Sequence, residues 1–214
     1  MTAYRLLALD IDGTLLAPDK TIRPRTRAAI EAARARGVHV VLVTGRRYPA
    51  ARRVADDLGG NLPLVLHNGA LIVEDAAVVR CIPLARATAL TAIRVGRLAG
   101  ADPVVHCGHA GEGRLLIERI AEANTLLAYY LDRSRPDVRL ERDLTEVLAE
   151  DPVQVMFGGT IASMDALRPA LREALGAAAR IERTVYPQND SGLLDVLDPR
   201  VGKAEALGLS LIHI

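Results

Sequence analysis

Leu6-Leu7-Ala8-Leu9 is an unbroken apolar run that ends at two carboxylates one residue apart, Asp10 and Asp12. A run without polar alternation predicts a strand buried on both faces, as in a parallel sheet flanked by helices. In extended backbone, residues two apart project to the same side, so Asp10 and Asp12 share a face. Like charges held that close are costly unless a cation or hydrogen-bond donors neutralise them. Gly13 permits a tight turn, or a close backbone approach by a ligand. Open α/β sheets bind ligands in the crevice beyond the carboxyl ends of their strands. The acidic pair therefore stands where chemistry is expected. The plainer reading is that both are solvated turn residues, Asp-Gly being a common turn dipeptide. An EF-hand calcium loop requires Gly at its sixth place and an acid at its twelfth. Counted from Asp10 those places hold Leu15 and Thr21, which excludes it.

The first third of the chain alternates strand and helix. A polar loop, Ala17-Pro18-Asp19-Lys20, leads to a helix from about Pro24 to Arg36, with Pro24 suited to its first turn and Gly37 to its end. Val38 to Val43 reads as a second buried strand closing at Thr44-Gly45-Arg46, with His39 taken as a satisfied core residue. Pro49 opens a second helix ending at Leu58-Gly59-Gly60, and Leu62 to Leu66 is a third strand closing at His67-Asn68-Gly69-Ala70. Such a series implies right-handed crossovers and a parallel sheet with helices on both faces. Its strand ends gather Asp10, Asp12, Thr44, Arg46 and Asn68 along one edge.

Asp10-Ile11-Asp12-Gly13-Thr14-Leu15-Leu16 resembles the first motif of the haloacid dehalogenase superfamily of phosphotransferases. Thr44-Gly45-Arg46, His67-Asn68-Gly69-Ala70 and Val201-Gly202-Lys203-Ala204-Glu205-Ala206-Leu207 follow in the family's order. Together they resemble its Cof-type (IIB) branch, strongly at these four places and only generally between about 85 and 185. The resemblance implies a Rossmann-like parallel core with an inserted α/β cap covering the active-site edge. Caps of this kind exclude water and select substrates, and hinge motion admits them.

Composition agrees with a folded enzyme. The 214 residues suffice for one domain of ordinary size and a smaller second one. Half are hydrophobic and a quarter charged, so a buried core is expected and disorder is not. A net charge of +1 and 3% aromatic residues give neither a basic field for nucleic acid nor a base-stacking platform. No apolar stretch reaches membrane-spanning length, and Asp10 comes too early for a signal peptide. Cys81 and Cys107 make no disulfide framework, and the default setting is a reduced cytoplasm. Monomer and homodimer both remain open. Of the 27 basic residues only Lys20 and Lys203 are lysine. A chain so biased toward arginine has kept a lysine in the Gly-Lys-Ala motif, where a planar fork does not replace a compact ammonium.

From Ala70 the pattern changes. Ala70 to Glu74, a turn at Asp75, and Val78 to Ile82 read as a hairpin, and Ile82-Pro83-Leu84 as a hinge. Beyond it come a helix (about 85–99), strands near 103–107 and 114–118, and a helix (about 119–132). A strand at 153–157, a helix over 163–175 disturbed by Pro169, and a strand near 180–185 follow. The expected division is a first core segment at 1–82, the cap at 83–186 and a return to the core at 187–214. His106-Cys107-Gly108-His109 offers three potential metal ligands but no second cluster at zinc-site spacing. Gly108, Gly111 and Gly113 do not match the dinucleotide fingerprint, and a hairpin loop accounts for both features. His109 would touch substrate if that loop faced the core. The turn-rich 186–192 carries the second crossing, and Asn189 beside it is a candidate substrate-facing residue against the alternative of an ordinary turn asparagine.

The resemblance implies a mechanism. Asp10 attacks the phosphorus of a small phosphorylated metabolite and forms an aspartyl-phosphate. Asp12 serves as general acid and then base. Thr44 and Lys203 bind the phosphoryl group, and Gly13, Gly45, Arg46, Asn68, Gly69 and Asn189 are its candidate substrate-binding residues. Mg²⁺ is held by the Asp10 carboxylate and the Asp12 carbonyl. The default substrates are sugar phosphates, then phosphorylated cofactors. Family members carry a further acidic motif well beyond the lysine, a Gly-Asp-x-x-Asn-Asp type segment that completes the Mg²⁺ site. Here only residues 204–214 follow, with no acidic pair among them. The last six, from Leu209, resemble a translated sequencing adapter, so the expectation is a gene fragment whose core is incomplete at its C-terminus, with a hydrophobic edge beside the first strand. A non-catalytic binder of phosphorylated metabolites and a phosphomutase of the same superfamily remain as rivals.

Overall fold

The computed structural model describes residues 4–108, 113–118 and 120–210. Its contacts divide the chain into two units, Met1–Cys81 with Val201–Ile214, and Ile82–Arg200.

In the first unit β1 (Leu6–Asp10), α1 (Pro24–Ala35), β2 (His39–Val43), α2 (Tyr48–Asp57) and β3 (Leu64–Leu66) alternate. The three strands run parallel and in sequence order. The hairpin β4 (Leu71–Glu74) and β5 (Ala77–Cys81) extends the sheet antiparallel beside β3. Its two-residue connection, Asp75 and Ala76, has positive φ at both positions (47° and 62°), the geometry that matches the twist of a tight hairpin. Period-two alternation sorts the core. Val40, Leu42, Leu64 and Leu66 face α1 and α2 with Ile30, Val54 and Ala55, whereas Val41, Val43 and Val65 face Ala206 of the closing helix, Lys203–Ser210. Helices thus cover both faces, as the continuous apolar strands require. His39 corrects the sequence reading: it opens β2 at an exposed position, and the buried run begins one residue later.

The second unit is a six-stranded sheet carrying helices. Its elements are α3 (Arg86–Leu98), β6 (Pro103–Cys107), β7 (Arg114–Ile117), α4 (Thr125–Asp132), β8 (Val138–Leu140), α5 (Leu144–Val147), β9 (Gln154–Gly159), α6 (Ile161–Leu175), β10 (Arg180–Tyr186) and β11 (Ser191–Leu197). The strand order is β10-β11-β9-β6-β7-β8, antiparallel except for β7 with β8. α3 and α6 pack over Val105, Val155, Phe157, Leu194 and Val196, and α4 over Val104, Leu115, Ile117 and Met156 on the other face. Pro169 does not interrupt α6, whose buried stripe of Met164, Leu167, Leu171 and Leu175 runs through it.

Three differences from the sequence reading have physical causes. α4 starts at Thr125 rather than near 119, because Asn124 caps it: its side chain accepts from Leu127 N (3.3 Å) and donates to Asp102 and to Gly158 O, both at 2.9 Å. β8 and α5 span three and four residues, too few for a periodic signal. Ser191–Leu197, which the sequence reading places in the return to the core from 187, pairs instead with β10 and β9 in the second sheet, and the chain rejoins the first unit at Val201. His109 and residues 211–214 lie outside the described residues.

Gly96 on α3 lies against the fully buried Phe157, and a Cβ there would overlap its ring. Helix propensity alone favours Gly→Ala by about 1 kcal/mol, but overpacking costs roughly 1–3 kcal/mol. Gly96→Ala is expected to lower the urea midpoint of unfolding; a raised midpoint would contradict this packing.

Candidate active site

The carboxyl ends of β1, β2 and β3 build the site. Ile11, fully buried, turns inward between two half-exposed aspartates, so Asp10 and Asp12 face outward together. Gly13 has φ +76° and nothing within 4 Å of where a Cβ would stand. Its role is therefore conformational: it lets the chain fold back so that Leu15 N donates to Asp10 O (3.1 Å) and Leu16 N to Ile11 O (3.0 Å). Buried Leu15 and Leu16 anchor this turn in the core.

Register places Asp10 beside Val43, so Thr44 follows directly on the neighbouring strand. Thr44 is buried, and its Oγ1 accepts from Arg46 N (3.1 Å). As acceptor there, the hydroxyl keeps its proton for a further bond. The loops after β2 and β3 are laced together by Asn68 N to Thr44 O (3.1 Å) and His67 N to Arg46 O (3.2 Å). His67, Asn68 and Gly69 all have positive φ (48°, 56° and 111°), a costly conformation for the first two that persists only when surroundings fix it. A Cβ on Gly45 would stand 3.0 Å from Asn68 Oδ1, and a Cβ on Gly69 would overlap the carbonyl oxygen of Gly202. Gly69 is thus required by close approach of backbone, whereas at Gly45 a side chain would press on the Asn68 amide.

The Gly69–Gly202 contact seats the closing helix. Val201 and Ala206 are buried there, and Lys203 Nζ reaches Asp10 Oδ1 at 2.6 Å. Both partners are more than a third exposed (43% and 36%), so such a pair adds only about 0–1 kcal/mol. Packing places the lysine, and the ion pair does not hold the helix.

Arg46 grips Asp12 with both arms, Nε to Oδ2 and Nη2 to Oδ1, each at 2.7 Å. Lys20 Nζ lies 3.5 Å from Asp12 Oδ1. Burial pushes the Asp12 carboxyl up, but the hydrogen bonds and charge of Arg46, joined by Lys20, outweigh it and hold the group below its ordinary value of 3.8.

The structure therefore brings Asp10, Asp12, Gly13, Thr44, Gly45, Arg46, Asn68, Gly69 and Lys203 into one unit at one sheet edge. Asn189 belongs to the second unit, exposed in the turn that joins β10 to β11, its carbonyl accepting from Ser191 Oγ (3.0 Å). Lys20 is the residue that sequence reasoning left without a role. Its rarity was the available signal, since both lysines of the chain end on an aspartate of the site. For a divalent cation, Asp10 and Asp12 offer oxygen donors, and Asp10 Oδ2 accepts no hydrogen bond from the described residues. No third His, Cys, Asp or Glu joins them among the described residues. The set suits Mg²⁺, which takes one or two carboxylates and completes its shell with water and substrate phosphate. Among the described residues no helix is long and apolar enough to cross a membrane.

Comparison with known proteins gives one consistent result. The sequence model of haloacid dehalogenase-like hydrolases matches residues 7–213. The pyridoxal phosphate phosphatase YbhA of Escherichia coli is 37% identical over 70 residues, 33% of this chain and 26% of that protein. The HMP-PP phosphatase of Serratia proteamaculans is 39% identical over 72 residues, 34% of this chain and 26% of its own. The chain thus spans about a quarter of the length of these curated relatives. Among solved structures, TM0651 from Thermotoga maritima superposes with a TM-score of 0.77 at 22% identity, over 98% of this chain and 75% of that one.

Asp12 is ionised more readily in the folded chain than in the unfolded one, so its ion pair stabilises above the ordinary carboxyl value and that contribution is lost as pH falls through the lower folded value. Arg46→Met is expected to be less stable than the parent at pH ~7, with the gap closing toward pH ~2. Denaturant titrations at the two pH values test this, and a gap independent of pH would refute it.

Proposed function

The chain belongs to the haloacid dehalogenase-like hydrolases, and from that premise we propose that its site hydrolyses small phosphomonoesters through an aspartyl-phosphate on Asp10. The observation that carries this reading is the convergence on Asp10 of the end of one strand, the buried Thr44 of the next and Lys203 from the far end of the chain. An Asp10 oxygen attacks phosphorus while the bond from phosphorus to the leaving oxygen breaks. Lys203 and Thr44 bind the non-bridging oxygens, where charge develops. Asp12 gives a proton to the leaving oxygen, then takes one from the water whose oxygen attacks phosphorus, releasing phosphate and restoring Asp10. The Arg46 fork keeps Asp12 ionised, the form that a base needs. To act as an acid, Asp12 first takes a proton from water or from the monoanion of the substrate phosphate. Asp10 and the Asp12 carbonyl would hold Mg²⁺, which when bound offsets the charge of the transferring phosphoryl group. Phosphorylated cofactors and sugar phosphates are the proposed substrates, the former supported by the pyridoxal phosphate phosphatase among the relatives.

Asp10→Asn is expected to lower phosphate release by on the order of 10³-fold or more while leaving the circular dichroism spectrum unchanged. An unchanged rate would remove the nucleophile. Chelation should abolish release and added Mg²⁺ restore it; release that survives chelation would overturn the metal assignment. Binding without release would favour the binder, and isomerised sugar phosphate without free phosphate the mutase.

A further inference from the structure

The two carboxylates of the site are unequally matched. Asp10 meets one cation, Lys203, whereas Asp12 meets two, Arg46 and Lys20. The Arg46 fork already binds both Asp12 oxygens at 2.7 Å, so Lys20 at 3.5 Å is surplus to the needs of that carboxylate. Its side chain is 68% exposed, and its ammonium remains available to a ligand.

The backbone beneath it is fixed. Lys20 N donates to Ala17 O (2.8 Å) and Ala17 N to Thr21 O (2.9 Å). Asp19 Oδ1 accepts from Thr21 N (3.0 Å) and Oγ1 (2.7 Å). Lys20 itself has φ +64°, an uncommon conformation for a non-glycine residue that this double-laced turn enforces. The neighbouring Asp19 is held ionised by its hydrogen bonds from Thr21, and the nearby Arg23 offsets its charge. Three cations, Arg46, Lys20 and Arg23, thus stand against two carboxylates, Asp12 and Asp19, which leaves an excess of one positive charge on the Asp12 side of the site.

If Asp12 serves the leaving-group oxygen, as the reading above holds and on which this inference rests, that excess lies beside the departing group. We propose that Lys20 is a specificity-determining residue favouring phosphomonoesters whose leaving group bears an anion, a carboxylate or second phosphate, close to the ester oxygen. Of the three cations that meet Asp10 and Asp12, Lys20 makes the longest carboxylate contact, 3.5 Å against 2.7 Å for Arg46 and 2.6 Å for Lys203, and is the most exposed, so it is the one placed to read the rest of the substrate.

A minimal substrate pair tests this, phosphoglycolate against ethyl phosphate, which differ by a carboxylate. The ratio of their kcat/KM values in the parent chain should fall about fivefold in Lys20→Met, the size of one unit-charge contact in a watery setting. Lys20→Arg should restore most of it, and the parent's preference should shrink between about 0.01 M and 1 M salt as screening shortens. A purely structural role for Lys20 would move both substrates together. The same ratio is measured as equilibrium affinity by calorimetry in the Asp10→Asn background, with and without Lys20→Met. That arm does not depend on turnover, so a chain that binds selectively but releases no phosphate refutes the hydrolase reading and leaves this one standing. Equal ratios in the presence and absence of Lys20, or no binding of either compound, overturn the inference.

Discussion

Backbone meets backbone at Gly69 and Gly202, and the site depends on that contact. Only a residue without a side chain lets the loop after β3 sit against the start of the closing helix. With Val201 and Ala206 buried on the same face, the approach delivers Lys203 across 193 positions of sequence to Asp10. The ion pair is too exposed to supply the energy of docking. Packing on Val43, Val65 and Ile72 supplies it. The geometry of the candidate site is in this sense a by-product of how the second face of the sheet is covered.

The same economy governs the acids. Two outward aspartates follow from strand alternation with Ile11 buried between them, and their repulsion must be offset locally. Lys203 on Asp10, with Arg46 and Lys20 on Asp12, offsets it. Those cations are also what a phosphate dianion requires, so under the proposed function the groups that offset the two aspartates are the groups that bind substrate.

Much of this was legible in the sequence because the signals are short-range. Apolar runs of strand length, each closed by a polar motif, located the strands of the first sheet and the residues at their ends. Spacing alone could not choose a partner for Ser191–Leu197. Its apolar pattern fits either sheet, and its pairing with β9 and β10 is a tertiary choice. Lys20 was marked only by its rarity, since an exposed lysine in a polar loop carries no local sign of the carboxylate it meets. His39 went wrong because a strand's first residue shares its pattern but not its burial. The positive φ at His67 and Asn68 has only a statistical signature, since His and Asn are enriched in that region but adopt it only where the surroundings fix it.

The central claim is that Asp10 becomes covalently phosphorylated. Rapid acid quench during turnover of a phosphomonoester, followed by borohydride reduction and peptide mass spectrometry, tests it most directly. An acyl-phosphate is reduced to the alcohol, so the account predicts homoserine in place of Asp10 and unmodified Asp12. Turnover with no reduced residue at Asp10, or with the modification on another side chain, would contradict it.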